Sequence, residues 1–311
     1  MNWYKAATEA AVAVTPERFR AMTPHATVAL AQNTNLSSQT QRLFFTERYE
    51  LKYWVLRHLA GNRSISHQTQ LMFFTEEYER KREVLWFLAR NESLTPEVQS
   101  RFLTERYEGR YQVLCELAWN TSIHPEAQLL FFTEQDNGVN KDSVLRHLAS
   151  NSSITLETQQ LLLTGSSNDL HIVSDHVVLE LLANNKGLNP QMQSLMVTDN
   201  YRYKSWTLLR LARNESIAPE TQRLLFTERY NNKKNTLEEL ARNESIIPEV
   251  QRLLLAESYE GKDSTSWYLI QNKNFLRDFT RDEWLKMRNA VRGSVRLHVL
   301  SKRLEQIAGV P

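Results

Sequence analysis

The chain has 311 residues, 41% of them hydrophobic and 24% charged, a balance that excludes a disordered chain and supports a buried core. Its formal net charge of +2 excludes a global field that would draw it to nucleic acid or to an anionic membrane. The single cysteine, Cys115, excludes an intramolecular disulfide and fits a reducing compartment, while no apolar run approaches the ~20 residues of a membrane-spanning helix. Gly and Pro are scarce at eight each, which disfavours sandwiches and long loops. The expectation is a soluble, cytoplasmic, helical protein with no membrane contact.

At the N-terminus, Met1 to Val14 is mildly apolar but contains Glu9 and lacks a basic start followed by an uninterrupted apolar block. It reads as a capping helix and not as a signal peptide. Residues 1–32 then carry Thr15-Pro16-Glu17-Arg18-Phe19, a shortened copy of a motif that recurs downstream, with Val28 to Gln32 as its second helix.

From residue 33 onward the chain repeats itself. Counted from a leading asparagine, the copies begin at Asn33, Asn62, Asn91, Asn120, Asn151, Asn185, Asn214, Asn243 and Asn272, with spacings of 29, 29, 29, 31, 34, 29, 29 and 29. A fixed period of this length means a stack of supersecondary units. The fourth position is always apolar, from Leu36 to Phe275, and the sixth is proline in five copies: Pro96, Pro125, Pro190, Pro219 and Pro248. Thr or Asn, then Pro, then Glu marks a helix start, with a cap, a first position and a carboxylate that suits the dipole; Ala218 and Ile247 are poor caps in that place. The first helix is short, about nine residues, with an apolar run such as Leu224-Leu225-Phe226. It ends at Thr-Glu-Arg-Tyr, as in Thr104 to Tyr107, and a turn follows. The second helix carries apolar pairs at positions 23–24 and 27–28, such as Val113-Leu114 and Leu117-Ala118, which fall on one stripe. The asparagine after it sits where a left-handed cap would end the helix.

Two insertions break the period, near residues 136–140 and 165–175, and both fall in the turn between the two helices. Residues 275–311 lose the repeat and read as two helices divided by Gly293. This tail has eight basic against four acidic side chains, net +4, so the rest of the chain is −2. The organisation expected is all-α: a right-handed α-solenoid of about eight two-helix repeats over residues 33–274, with helical caps over 1–32 and 275–311.

The phrase L-A-R-N-E-S-I-x-P-E-x-Q-x-L-L, carried by residues 211–225 and by its copies, resembles the repeat phrase of leucine-rich repeat variant proteins, which are α-solenoids akin to HEAT and armadillo arrays. The resemblance spans residues 28 to about 276. It implies a two-helix solenoid and is poor in function. The chain departs from that family in its longer unit, in the missing proline after Asn-Glu, and in the absence of a cysteine cluster, so no iron–sulfur centre is implied.

Several recurring residues invite a chemical reading. Glutamine at position nine, from Gln41 to Gln251, is present in all eight full repeats. A row of base-reading amides needs residues that change from repeat to repeat; an unchanging one fits a buried ladder that satisfies loop carbonyls, and the leading asparagine reads alike. Glutamate at position fifteen, beside Arg48, Arg106 or Arg229, reads as a solvated turn with local ion pairs. His58 and His147 lie three repeats apart, beyond any metal span, and read as surface residues. His171, Asp169, Asp175 and His176 have no standard metal spacing and read as a polar loop, and Cys115 reads as a structural thiol. No phosphate-loop, nucleophile-elbow or zinc-helix motif occurs, so no catalytic residue, cofactor or metal is expected.

The positions that vary lie off the apolar stripe of the second helix, at 22, 25, 26 and 29. They hold Trp54, Arg57 and His58; Trp86, Phe87 and Arg90; Glu116 and Trp119; Arg146 and His147; Trp206, Arg210 and Arg213; Glu238, Glu239 and Arg242; Trp267 and Tyr268. Trp, Tyr and Arg dominate protein interfaces, although such aromatics can also pack between repeats. Two functions follow. One is a non-enzymatic scaffold holding a protein or peptide on a concave surface through Arg57, His58, Trp86, Arg90, Glu116, Trp119, Arg146, His147, Arg210 and Arg213. The other is nucleic-acid binding through the basic cap, with Arg281, Lys286, Arg288, Arg292 and Arg296 as contacts and the inner-helix arginines assisting.

Overall fold

The computed structural model describes residues 13–133, 141–164, 176–199 and 204–275. Within them there are eighteen α-helices and no strands. Two short helices come first, α1 (Pro16–Arg20) and α2 (Pro24–Ala31). The repeats then supply alternating first and second helices: α3 (Ser38–Thr46), α4 (Lys52–Ala60), α5 (His67–Thr75), α6 (Lys81–Ala89), α7 (Pro96–Thr104), α8 (Arg110–Trp119), α9 (Pro125–Thr133), α10 (Lys141–Ser150), α11 (Leu156–Thr164), α12 (His176–Ala183), α13 (Pro190–Thr198), α14 (Lys204–Arg213), α15 (Pro219–Thr227), α16 (Lys233–Arg242), α17 (Pro248–Ala256) and α18 (Lys262–Gln271). The chain forms two compact units, Met1–Thr158 and Gln159–Pro311. In the first, the second helices α2, α4, α6, α8 and α10 pack in series and the first helices α3, α5, α7 and α9 form a parallel row. In the second, α12, α14, α16 and α18 make one row and α13, α15 and α17 the other. Neighbouring helices packed in series are the build of a helical-repeat solenoid. The expected C-terminal cap and both insertions lie outside the described residues.

Short polar side chains start the helices. Thr15, Thr23, Ser37, Ser66 and Asn189 accept a backbone N–H of the first turn, whereas Ala218 and Ile247 make no side-chain cap. Proline at the first position there supplies the helical φ instead.

Five of the first helices are closed by two side chains that come from beyond them. The tyrosine of the Thr-Glu-x-Tyr phrase donates its hydroxyl to the carbonyl five residues back: Tyr49 to Phe44, Tyr78 to Phe73, Tyr107 to Phe102, Tyr230 to Leu225 and Tyr259 to Leu254, at 2.7–3.1 Å. The basic residue opening the second helix then donates to the last carbonyls. Lys81 Nζ reaches Phe74 O at 2.6 Å and Glu76 O at 3.0 Å, and Lys52, Arg110, Lys141, Lys204, Lys233 and Lys262 occupy the same place. A positive charge at a helix C-terminus satisfies orphan carbonyls and favours the macrodipole.

The left-handed residue is not the asparagine. Asn120, Asn243 and Asn272 are extended, with φ near −65°. The left-handed residue instead precedes the second helix: Leu51, Arg80, Gly109, Asn232 and Gly261, with φ from 54 to 83°. Two of these are glycine for a further reason. A Cβ on Gly109 would lie 1.8 Å from the Arg82 side chain, and one on Gly261 2.4 Å from that of Lys234.

The asparagine is extended because its side chain belongs to the preceding repeat. Asn91 Nδ2 donates to Ala60 O at 2.8 Å and Asn62 O at 2.9 Å, and its Oδ1 accepts Ser93 N. The same bonds recur at Asn62, Asn120, Asn151, Asn214, Asn243 and Asn272. The glutamines build a second ladder pointing forward. Gln70 Nε2 donates to Ile65 O and Ser93 O, and its Oε1 accepts Thr95 N of the next repeat; Gln41, Gln99, Gln128, Gln193 and Gln222 do the same. Both amides are buried. Between the ladders lies an apolar seam in which Phe19, Phe44, Phe73 and Phe102 are fully enclosed. Edge-to-face pairs join successive repeats, such as Phe45–Phe73 at 4.9 Å and Phe74–Phe102 at 4.7 Å.

Candidate functional site

With asparagine and glutamine consumed by the scaffold, the variable positions of the second helices remain. The apolar pairs Val55-Leu56, Leu59-Ala60, Val84-Leu85 and Leu88-Ala89 are buried, so positions 22, 25, 26 and 29 face outward from the seam.

Their side chains meet across repeats by one rule. Position 29 of one repeat touches position 26 of the next, 26 residues later when the spacing is 29. Gln32 Nε2 lies 3.1 Å from His58 Nδ1, Arg90 lies 3.6 Å from Glu116, Arg213 donates to Glu239 at 2.8 Å, and Arg242 lies 3.5 Å from the Tyr268 ring centroid. Trp119 meets His147 edge-to-face at 5.6 Å, across the two-residue insertion. Where position 29 is Gly61, no side chain reaches out, and Arg57 of the same helix fills the place. Its guanidinium stands 4.1 Å from the Phe87 ring centroid and 5.0 Å from that of Trp54.

In the first unit this face is aromatic. Trp54 is 45% exposed and Trp119 56% exposed, while Trp86 and Phe87 are half-buried and pack edge-to-face at 4.7 Å. Arg90 covers Trp86 at 4.7 Å. Two hollows open between these side chains. One, of about 430 Å³, is lined by Tyr53, Arg57, Arg82, Glu83, Trp86, Phe87 and Gln112. The other, of about 420 Å³, is lined by Arg90, Glu92, Glu116, Trp119, Asn120, Thr121 and His147. Six of the sequence-predicted residues, Arg57, Trp86, Arg90, Glu116, Trp119 and His147, thus line hollows. Arg146 is exposed on α10. His58 is half-buried, and burial together with the neighbouring Arg57 charge holds its pKa below the usual value. Neither His58 nor His147 is the free surface residue expected, because each is packed against the preceding repeat.

In the second unit the face is ionic. Arg210 donates to Glu180 at 2.8 Å, and Glu239 accepts from both Arg213 and Arg242. The hydrogen bond from Arg213 holds the Glu239 carboxyl below its ordinary range. Trp206, 58% exposed, stands apart from these pairs. Glu180 was missed in the sequence because the insertion shifts the count by five; it lies 30 residues before Arg210, the same offset that brings Arg57 to Phe87.

The remaining candidates resolve as structure. Ion pairs at position fifteen form, but Glu47 is held by Arg20 at 2.9 Å and Glu105 by Arg101 at 3.0 Å, rather than by the adjacent arginines. Cys115 is buried, and burial raises its thiol pKa, which suppresses reactivity. Among the described residues no three His, Cys, Asp or Glu side chains are placed to hold a metal, and no helix is long and apolar enough to cross a membrane. His176 is exposed at the start of α12; Asp169, His171 and Asp175 lie outside the described residues. So do Arg281, Lys286, Arg288, Arg292 and Arg296, on which nucleic-acid binding was chiefly expected to rest. No protein-family model, curated protein or solved structure matches the chain.

Proposed function

We propose that the chain is a non-enzymatic adaptor of the leucine-rich-repeat-variant and HEAT-like kind, which holds a protein or peptide on the second-helix face of its first unit. The observation that carries this reading is the pair of hollows lined by Arg57, Trp86 and Phe87 and by Arg90 and exposed Trp119. Large, exposed tryptophans beside arginine are the composition of interface anchors, and amides locked in ladders leave that surface free for binding.

The test is affinity capture with the intact chain, read by mass spectrometry, against a Trp86→Ala/Trp119→Ala variant. A defined protein retained by the wild type and lost from the variant is the expected result. Equal retention by both removes this face from the reading. Nucleic-acid binding remains the rival. Arg90, Arg210, Arg213 and Arg242 already have carboxylate partners, which lowers the free positive charge that rival needs. It predicts affinity falling steeply with salt and lost on removal of residues 277–311.

A further inference from the structure

The arginines of the second-helix face are not equivalent. Arg90 has Glu116, Arg210 has Glu180, and Arg213 and Arg242 share Glu239. Arg57 has no carboxylate within ion-pair distance and no hydrogen-bond acceptor among the described residues. It is held instead by two aromatic faces, Trp54 and Phe87. The cause is local: Gly61 leaves position 29 empty, so Arg57 takes up the position-26 ring of the next repeat with its N–H edge still unsatisfied. Stacking fixes the plane of a guanidinium without consuming its donors. A planar fork of unpaired donors fits a carboxylate in bidentate fashion.

We propose that the hollow around Arg57 receives an aspartate or glutamate side chain of a peptide partner, its carboxylate held by the Arg57 fork and its neighbouring residue resting on Trp86. The proposal rests on the peptide-holding reading above. Charge selects the occupant. Arg82 adds positive charge to the rim, its contact with Glu108 being long at 3.8 Å. Glu83 is turned to Tyr53 and Arg80, and its negative charge disfavours a phosphate dianion while tolerating one carboxylate. A basic peptide would place its cation against Arg57.

The experiment selects a random displayed-peptide library on the intact chain. An enriched peptide and its Glu→Gln or Asp→Asn analogue are then measured by fluorescence polarisation against wild type, Arg57→Leu and Arg57→Lys. The expected result is a fixed acidic residue among the enriched peptides and a loss of about tenfold for the amide analogue on wild type. Arg57→Leu should bind both peptides equally, because the coupled partner is gone; Arg57→Lys, which keeps the charge but not the fork, should fall between. Enriched peptides without an acid, or an Arg57→Leu chain that still prefers the acidic form, overturn the proposal and leave the adaptor reading standing. If Arg57→Leu does not fold, the amide analogue on wild type and the Arg57→Lys series decide alone. A library that yields no binder overturns both, and a single-stranded oligothymidylate bound through Arg57 in its place would assign the hollow to nucleic acid.

Discussion

The two units share one internal plan and wear different surfaces. Beneath both lie the same asparagine and glutamine ladders, with tyrosines closing first helices and cations opening second helices in each unit. On the second-helix face the first unit places Arg57 against Trp54 and Phe87, whereas the second pairs Arg210, Arg213 and Arg242 with Glu180 and Glu239. A carboxylate in a groove neutralises the arginine beside it; an aromatic ring holds the arginine and leaves its donors open. The difference therefore separates stacking that holds the face closed from stacking that leaves it receptive.

The largest test strikes what the units share. Burial raises the phenol pKa of Tyr49, Tyr78 and Tyr230 well above the ordinary value and pushes that of Tyr259 up to about 12. A phenol whose folded pKa exceeds its unfolded value of ~10 contributes stability that is complete below about pH 10 and lost as pH rises. At pH 11 each such group taken alone costs about 1.4 kcal/mol, and both units should weaken together. Lys52, Lys141, Lys204 and Lys233, whose burial lowers their pKa, relieve part of this because their charge is shed more readily. Thermal midpoints from pH 8 to 11, with phenolate absorbance appearing only on unfolding, check it. A flat midpoint through pH 11 would mean that the tyrosine hydroxyls are not buried donors.

Next comes the ladder itself. Asn91→Asp and Asn214→Asp each remove two donors and face a buried carboxylate with two carbonyls. A loss of about 3 kcal/mol is expected for either, by denaturant titration. A loss in only one unit would break the claim of a common plan.

A smaller change separates the faces. Glu239→Gln leaves Arg213 and Arg242 without their shared carboxylate and should cost about 1 kcal/mol at low salt, fading in high salt. Arg57→Leu in the first unit should show no comparable salt dependence of stability, since rings and not carboxylates hold that side chain. Smallest of all, Leu51→Gly relieves a left-handed residue with φ 57° and should stabilise by about 1 kcal/mol or less. A destabilised variant would show that the Leu51 side chain packs usefully despite its exposure.

Much of the scaffold was legible because it recurs. The 29-residue period gave the helices, the apolar stripe at positions 23–24 and 27–28 gave the seam, and unvarying Gln and Asn gave ladders in preference to readers. The left-handed residue was not legible. Asparagine suggested it, but a side chain with two carbonyls of the preceding repeat to satisfy needs an extended backbone, and nothing about Leu51 or Arg80 signals positive φ. The variable positions lie off the buried stripe as their spacing implied, whereas the side chains they meet were hidden because contact runs between repeats. Gly61 looked like a gap in the pattern; only the cross-repeat register shows that its missing side chain is what turns Arg57 onto Phe87.

The ladders also make the 29-residue unit a natural quantum of length. Every rung is drawn from backbone carbonyls and N–H groups, and hardly any rung depends on which outward side chain the neighbour carries. A whole copy, cut from one asparagine to the residue before the next, can therefore be added to or removed from the first unit with each remaining rung finding an equivalent carbonyl. A cut of any other length leaves an amide facing the wrong atom. Such a chain can lengthen by whole steps and rewrite its outer letters separately, so reach and recognition can change independently.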